Sequence, residues 1–191
     1  MLIVISGPIA SGKSSVASGV AQALRRHDVA TAVVDLDEVH AGQTQGSGEP
    51  EGDAARWEAA RRAAAALADS FIAEGIVAVI VEGSFQTQRD RRVFTETLGS
   101  RPDALYVSLR VSYEEALRRA QSDPTRGISR DPRFLRRYYA DRAPSSVPKT
   151  DLVIDTESMA EKQVVALVAR AVLARLRETT PHVTLGALTE S

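Results

Sequence analysis

The sequence predicts a doubly wound α/β domain, with five parallel strands in one sheet and helices on both faces. Three observations carry this. Short apolar runs alternate with segments of helical period along the 191 residues. The runs are continuously apolar, which suits strands covered on both sides. The first run leads into Gly7-Pro8-Ile9-Ala10-Ser11-Gly12-Lys13-Ser14, a loop of the form G-x-x-x-x-G-K-[ST] that opens a helix.

The predicted strands are Leu2–Ile5, Thr31–Asp35, Ile76–Glu82, Ala104–Leu109 and Leu152–Asp155. The first helix, 15–26, places Val16, Val20 and Leu24 four residues apart. An alanine-rich helix follows over 51–74 and a shorter one over 88–98. Ser112 opens the next, with Glu115 three residues on in a capping-box pattern. The last, 161–177, carries Val165, Val168, Val172 and Leu176 at helical spacing. The stretch 42–52 holds four glycines and one proline and cannot hold a core. It is either an ordinary loop or a flap that closes over a substrate. The sequence shows no internal repeat and no interdomain linker. Residues 1–178 therefore read as one domain and 179–191 as a tail.

Composition bounds the function. Hydrophobic and charged contents of 43% and 26% are ordinary for a soluble globular chain. A net charge of −1 gives no global attraction to nucleic acid or to an acidic membrane. The absence of cysteine excludes disulfides, thiolate metal sites and a cysteine nucleophile. The apolar runs are far short of a membrane span, and a strand begins at once without a signal peptide, so a cytoplasmic protein is expected. A homodimer is left open.

The loop sets the expected chemistry. Its backbone N–H groups converge on phosphates, and the following helix adds the positive end of its dipole. Gly7, Ala10, Ser11, Gly12, Lys13, Ser14 and Ser15 are therefore expected around ATP. Lys13 should reach the β- and γ-phosphates, and the Ser14 hydroxyl should ligate Mg²⁺. Asp35-Leu36-Asp37-Glu38-Val39-His40 follows the second strand, at the edge where such sheets bind ligands. Asp37 is the expected base for an attacking hydroxyl. Asp35 either orders the metal shell or caps the next helix. His40 shares a face with Asp37 and either bonds a substrate or stands as a surface histidine. Glu82 ends the third strand, where it could serve the metal or the substrate. Phe85 and Arg89 follow it as candidate acceptor contacts, Arg89 meeting an anionic group or merely starting an exposed helix.

Residues 118–142 contain eight arginines and three acids. Asp123 to Arg130 forms a proline- and glycine-bearing turn between helices, the layout of a lid that closes arginines over a triphosphate. Arginine suits that role because its planar fork binds phosphate oxygens bidentately and stays charged. Arg119, Arg126 and Arg130 are the expected contacts, with Arg126 also catalytic.

On these residues the chain resembles small-molecule kinases of the P-loop superfamily, close to the chloramphenicol phosphotransferase-like, gluconate kinase-like and adenylylsulfate kinase-like groups. The D-x-D element of such kinases is matched by Asp35 and Asp37, and the histidine of gluconate kinases by His40. Gluconate kinases usually have glycine between the two acids, where this chain has Leu36. The resemblance implies that Thr156 borders the adenine. It also implies an ATP- and Mg²⁺-dependent transfer of a phosphoryl group to a hydroxyl of a metabolite or antibiotic. The rival readings are a nucleic-acid 5′-hydroxyl end kinase and a regulatory nucleotide-binding protein. Aromatic content of 5% leaves few stacking platforms for bases. The chain has no D-x-x-G sequence, and its nearest match to a guanine-reading element begins with Pro148 and precedes a strand.

Overall fold

The computed structural model describes residues 1–42, 50–141 and 149–179. Its sheet has five parallel strands, β1 (Leu2–Ser6), β2 (Thr31–Asp35), β3 (Ala78–Gly83), β4 (Ala104–Arg110) and β5 (Leu152–Asp155), in the spatial order β2-β3-β1-β4-β5. Among the described residues the helices are α1 (Lys13–Arg25), α2 (Leu36–Gly42), α3 (Pro50–Ala73), α4 (Gln88–Thr97), α5 (Tyr113–Ser122), α6 (Pro132–Ala140) and α7 (Glu161–Thr179). No helix among those residues is long and apolar enough to cross a membrane.

Successive strand residues face opposite ways, and here both faces are buried. Ile3 and Ile5 of β1 join Ile80, Val107 and Leu109 against Val16, Val20 and Leu24 of α1 and Val168 and Val172 of α7. Leu2 and Val4 join Val79 and Val81 against Ala60, Ala64 and Ala68 of α3 and Phe94 of α4. Each large aliphatic side chain so buried contributes about 1.5–3 kcal/mol against exposure. The alanines of α3 let the long helix lie close to the sheet. Close packing also brings α1 onto α7, where a Cβ on Gly19 would come within 2.6 Å of Val165.

Two expectations need correction. The third strand begins at Ala78 rather than Ile76, because Ile76 belongs to the close of α3 and Val77 N–H bonds the Ala30 carbonyl ahead of β2. Gly75, at φ 83°, donates to the Ile72 carbonyl, and Ile76 N–H donates to that of Phe71. The capping box at Ser112 is only half made, since Ser112 Oγ accepts from Glu115 N–H while the Glu115 carboxylate turns to Arg118 and Arg119. A complete box stands unannounced at α4, between Thr87 and Asp90. The glycine stretch 42–52 is split: Gly42 closes α2, α3 begins at Pro50, and 43–49 lie outside the described residues, as does the tail from 180.

Candidate active site

The register of the sheet assembles the site. β1 ends at Ser6 beside Gly83, and Asp35 of β2 pairs in register with Glu82 of β3. The carboxyl ends of the strands thus present two acids beside the phosphate loop. The loop leaves β1 through Gly7 and turns with Ala10 at φ 62° and Gly12 at φ 88°. A left-handed backbone at a non-glycine residue such as Ala10 is strained, and it persists where the surroundings fix it. Two further contacts hold the loop: Ser11 N–H donates to the Pro8 carbonyl, and the Tyr139 hydroxyl donates to that of Ile9 at 2.9 Å. Lys13 Nζ donates to the Pro8 carbonyl at 3.2 Å.

Asp35 Oδ1 accepts from the N–H groups of Asp37 and Glu38 at 2.7 and 3.3 Å, so it caps α2 while its strand position keeps it beside Glu82. Glu82 is 2% exposed, and its Oε2 has no hydrogen-bond partner among the described residues. Burial pushes its carboxyl up to about 7, with the negative Asp35 adding to the effect and the Ser14 hydroxyl and Lys13 ammonium opposing it. No three His, Cys, Asp or Glu side chains among the described residues form a cation cage. A buried, unsatisfied carboxylate oxygen next to a hydroxyl and a second carboxylate nevertheless suits a hard cation that takes its other oxygens from phosphate and water. Ser14, Asp35 and Glu82 therefore fit magnesium.

Two cavities meet at the loop. One, of about 290 Å³, is lined by Lys13, Ser14, Asp37, Arg126 and Ser129 among others. The other, of about 360 Å³, lies against Ala10, Ser11, Gly12 and Ser15 and is walled by Arg119, Thr156 and Met159. A larger cleft of about 950 Å³ lies between α1 and α7 and holds none of these residues. The phosphate loop lines both of the smaller cavities, which makes them the candidate site.

The arginines separate into two kinds. Arg119 is tied down: its guanidinium donates to the Thr156 hydroxyl and carbonyl at 3.1 and 2.7 Å and to Glu115 at 2.7 Å. It is a wall of the second cavity. Arg126 stands on the turn between α5 and α6, paired with Asp123 at 3.1 Å, and lines both cavities. Arg130 ends the short 3₁₀ turn Gly127–Arg130 and is exposed.

The residues expected on the acceptor side are more scattered. His40 stacks on Trp57 of α3, with ring centroids 3.8 Å apart and planes 8° from parallel. Phe85 is 3% exposed and meets Phe94 edge-on, so its ring belongs to the core, while its backbone bonds the Ser6 hydroxyl. Arg89 pairs with Glu58 at 3.1 Å in a cleft of about 450 Å³ between α3 and α4. That cleft also holds Trp57, Arg61 and Asp90. Sequence reasoning missed Arg61, which is nearly buried, pairs with Asp90 at 3.1 Å and donates to the Ser84 carbonyl. The tie that Tyr139 makes from α6 to the phosphate loop was likewise not foreseen. Neither has a local signal, because their partners lie on other elements.

No curated protein matches the chain. Solved structures similar to it include a sugar kinase from Janibacter sp. HTCC2649, at 21% identity over 92% of this chain and 96% of that one, with a TM-score of 0.65. A gluconokinase from Sinorhizobium meliloti 1021 is similar at 21% identity over 94% of each chain, with a TM-score of 0.60. The APS kinase CysC of Mycobacterium tuberculosis, solved with AMPPNP and APS, is similar at 17% identity over 91% of this chain and 96% of that one, with a TM-score of 0.64. At these identities the likeness is one of fold. A family profile described as an AAA domain matches residues 2–149, from the strand before the phosphate loop through α6. With a P-loop at the head of a five-stranded parallel sheet, the chain belongs to that family.

Proposed function

We propose that this chain is an ATP-dependent phosphotransferase that moves the γ-phosphoryl group to a hydroxyl of a small molecule. The observation that carries the reading is the cavity shared by Lys13, Ser14, Asp37 and Arg126. It sets phosphate-binding groups and an exposed carboxylate around one space, and phosphoryl transfer needs little more than positioning and charge stabilisation. The kinase fold of the similar structures supports it.

In this reading the nucleoside lies in the cavity walled by Arg119 and Thr156, and the phosphates cross the loop toward Lys13. The loop N–H groups and Lys13 hold the phosphate oxygens, and Arg126 closes from the turn above. An acceptor hydroxyl oxygen bonds to the γ-phosphorus as the bridging bond to ADP breaks. Its proton passes to Asp37, which lines that cavity. A magnesium ion held near Ser14, Asp35 and Glu82 would supply neutralising charge at the phosphates. Water exclusion by the closed arginine turn would favour transfer over hydrolysis.

The test is ADP release with MgATP across a panel of sugars, sugar acids, aminocyclitols, nucleosides, hydroxylated antibiotics and 5′-hydroxyl oligonucleotides. Stimulation by one small-molecule class, with a phosphomonoester in the product mass, supports the reading. Stimulation by the oligonucleotides alone, or equal turnover with every addition and with none, would contradict it.

A further inference from the structure

The start of α5 is closed by residues far apart in the chain. The Ser112 hydroxyl accepts from Glu115 N–H at 3.2 Å, but the Ser112 N–H donates to Glu157 Oε2 at 3.1 Å, from the loop after β5. Glu157 thereby takes the place that Glu115 would fill in a complete capping box. Glu115 is left to Arg118, at 2.6 Å, and to Arg119, at 2.7 Å. Arg119 then donates to Thr156, the residue before Glu157, and to the Ala10 carbonyl at 3.4 Å. The circuit closes: Glu157 to Ser112, along α5 to Glu115 and Arg119, and across to Thr156.

Two ties therefore join α5 to the loop after β5. Ser112 and Arg119 are seven residues apart, roughly two helical turns, so the ties hold the helix at both ends of that span. The Glu157 backbone is itself fixed, its N–H donating to Asp155 Oδ1 at 2.9 Å. Arg119 and Thr156 wall the 360 Å³ cavity, whereas Glu157 is exposed and does not line it.

We propose that Glu157 is a positioning residue for the nucleoside half of a bound nucleotide, acting through the Ser112 N–H and α5 to set Arg119 against Thr156. The inference rests on the nucleotide-binding reading above. The tie acts chiefly on the wall beside the nucleoside, because Arg119 reaches the phosphate loop through the long 3.4 Å bond to the Ala10 carbonyl and meets Thr156 through two shorter ones.

The experiment is titration calorimetry of the full chain with magnesium and either ATP or inorganic tripolyphosphate, which lacks the nucleoside. Glu157→Ala should weaken ATP by about twofold to tenfold, the range of one net hydrogen bond, and weaken tripolyphosphate distinctly less. Glu157→Gln keeps an acceptor oxygen for the Ser112 N–H and should restore ATP binding. Unchanged ATP affinity in Glu157→Ala, equal weakening of both ligands, or a Gln variant as weak as Ala would each overturn the inference while leaving the nucleotide reading intact. An unaltered chain that bound neither ligand would overturn both.

Discussion

Asp37 and Lys13 face one cavity, yet they should fail in different ways. Lys13→Ala removes a positive charge from the phosphates and should lower transfer by about 10²–10³-fold. Asp37→Asn keeps the shape and the phosphate contacts, so ATP should still bind while acceptor phosphorylation falls by about 10²–10⁴-fold. Calorimetry beside a transfer assay separates the two, and near-normal turnover by Asp37→Asn would place the base elsewhere. Glu82 makes a different prediction, for magnesium-free protein. Its folded carboxyl is raised to about 7 from an ordinary value of 4.5, chiefly by burial. The fold therefore favours the protonated form: the associated stability is full below about pH 4.5 and is lost as pH rises through about 7. Glu82→Gln should remove that slope. Thermal melting in a chelator across this window checks it, and parallel curves for the two proteins would contradict it. At this scale the phosphate loop and the placement near it of the acids at 35, 37 and 82 were legible, because both follow from neighbours in sequence. Arg61, Tyr139 and Glu157 were not, because each acts on a backbone group brought to it by the fold.

Elements were read well where a period or a cap is local. The second and fifth strands fall as expected, and α7 follows its valine spacing through Thr179. Boundaries moved where a neighbouring element claimed a residue, as Gly75 and Ile76 are claimed by the close of α3. The half-made cap at Ser112 has the same cause: two carboxylates compete, and the distant Glu157 takes the N–H while Arg118 and Arg119 engage Glu115. The junction of β3 with α2 gives a prediction at this scale. A Cβ on Gly83 would come within 2.5 Å of the Leu36 Cβ, with Leu36 fully buried. Gly83→Ala should therefore destabilise the fold by about 1–3 kcal/mol through overpacking. Because α2 must shift to relieve the clash, the variant should also lower transfer activity through Asp37. Denaturant unfolding together with a transfer assay checks both, and an unchanged midpoint would show that the contact yields freely.

At the scale of the molecule, strand order turns a linear motif into a site. Placing β1 between β3 and β4, with β2 beyond β3, brings Asp35 and Glu82 alongside the loop that leaves β1. The same order sends α5 and the loop after β5 to the other side, where Arg119 and Thr156 form the second wall. In the proposed function, phosphates and nucleoside would take separate compartments on one continuous loop, and the acceptor would reach the phosphates from the side of Asp37. The fold class was legible because alternating apolar runs and helical periods leave few right-handed ways to build such a sheet. The acceptor was not, because the residues expected to meet it are spread over α2, α3 and α4 and their pairing is set by packing. The most direct test of the central claim follows the phosphoryl group itself. The chain is incubated with magnesium, ATP labelled at its γ-phosphoryl oxygens, and the acceptor that most stimulates ADP release. The account predicts that the label appears in a phosphomonoester of that acceptor, matching the ADP formed. Label found only in inorganic phosphate, whatever the acceptor, would show a hydrolase and contradict it.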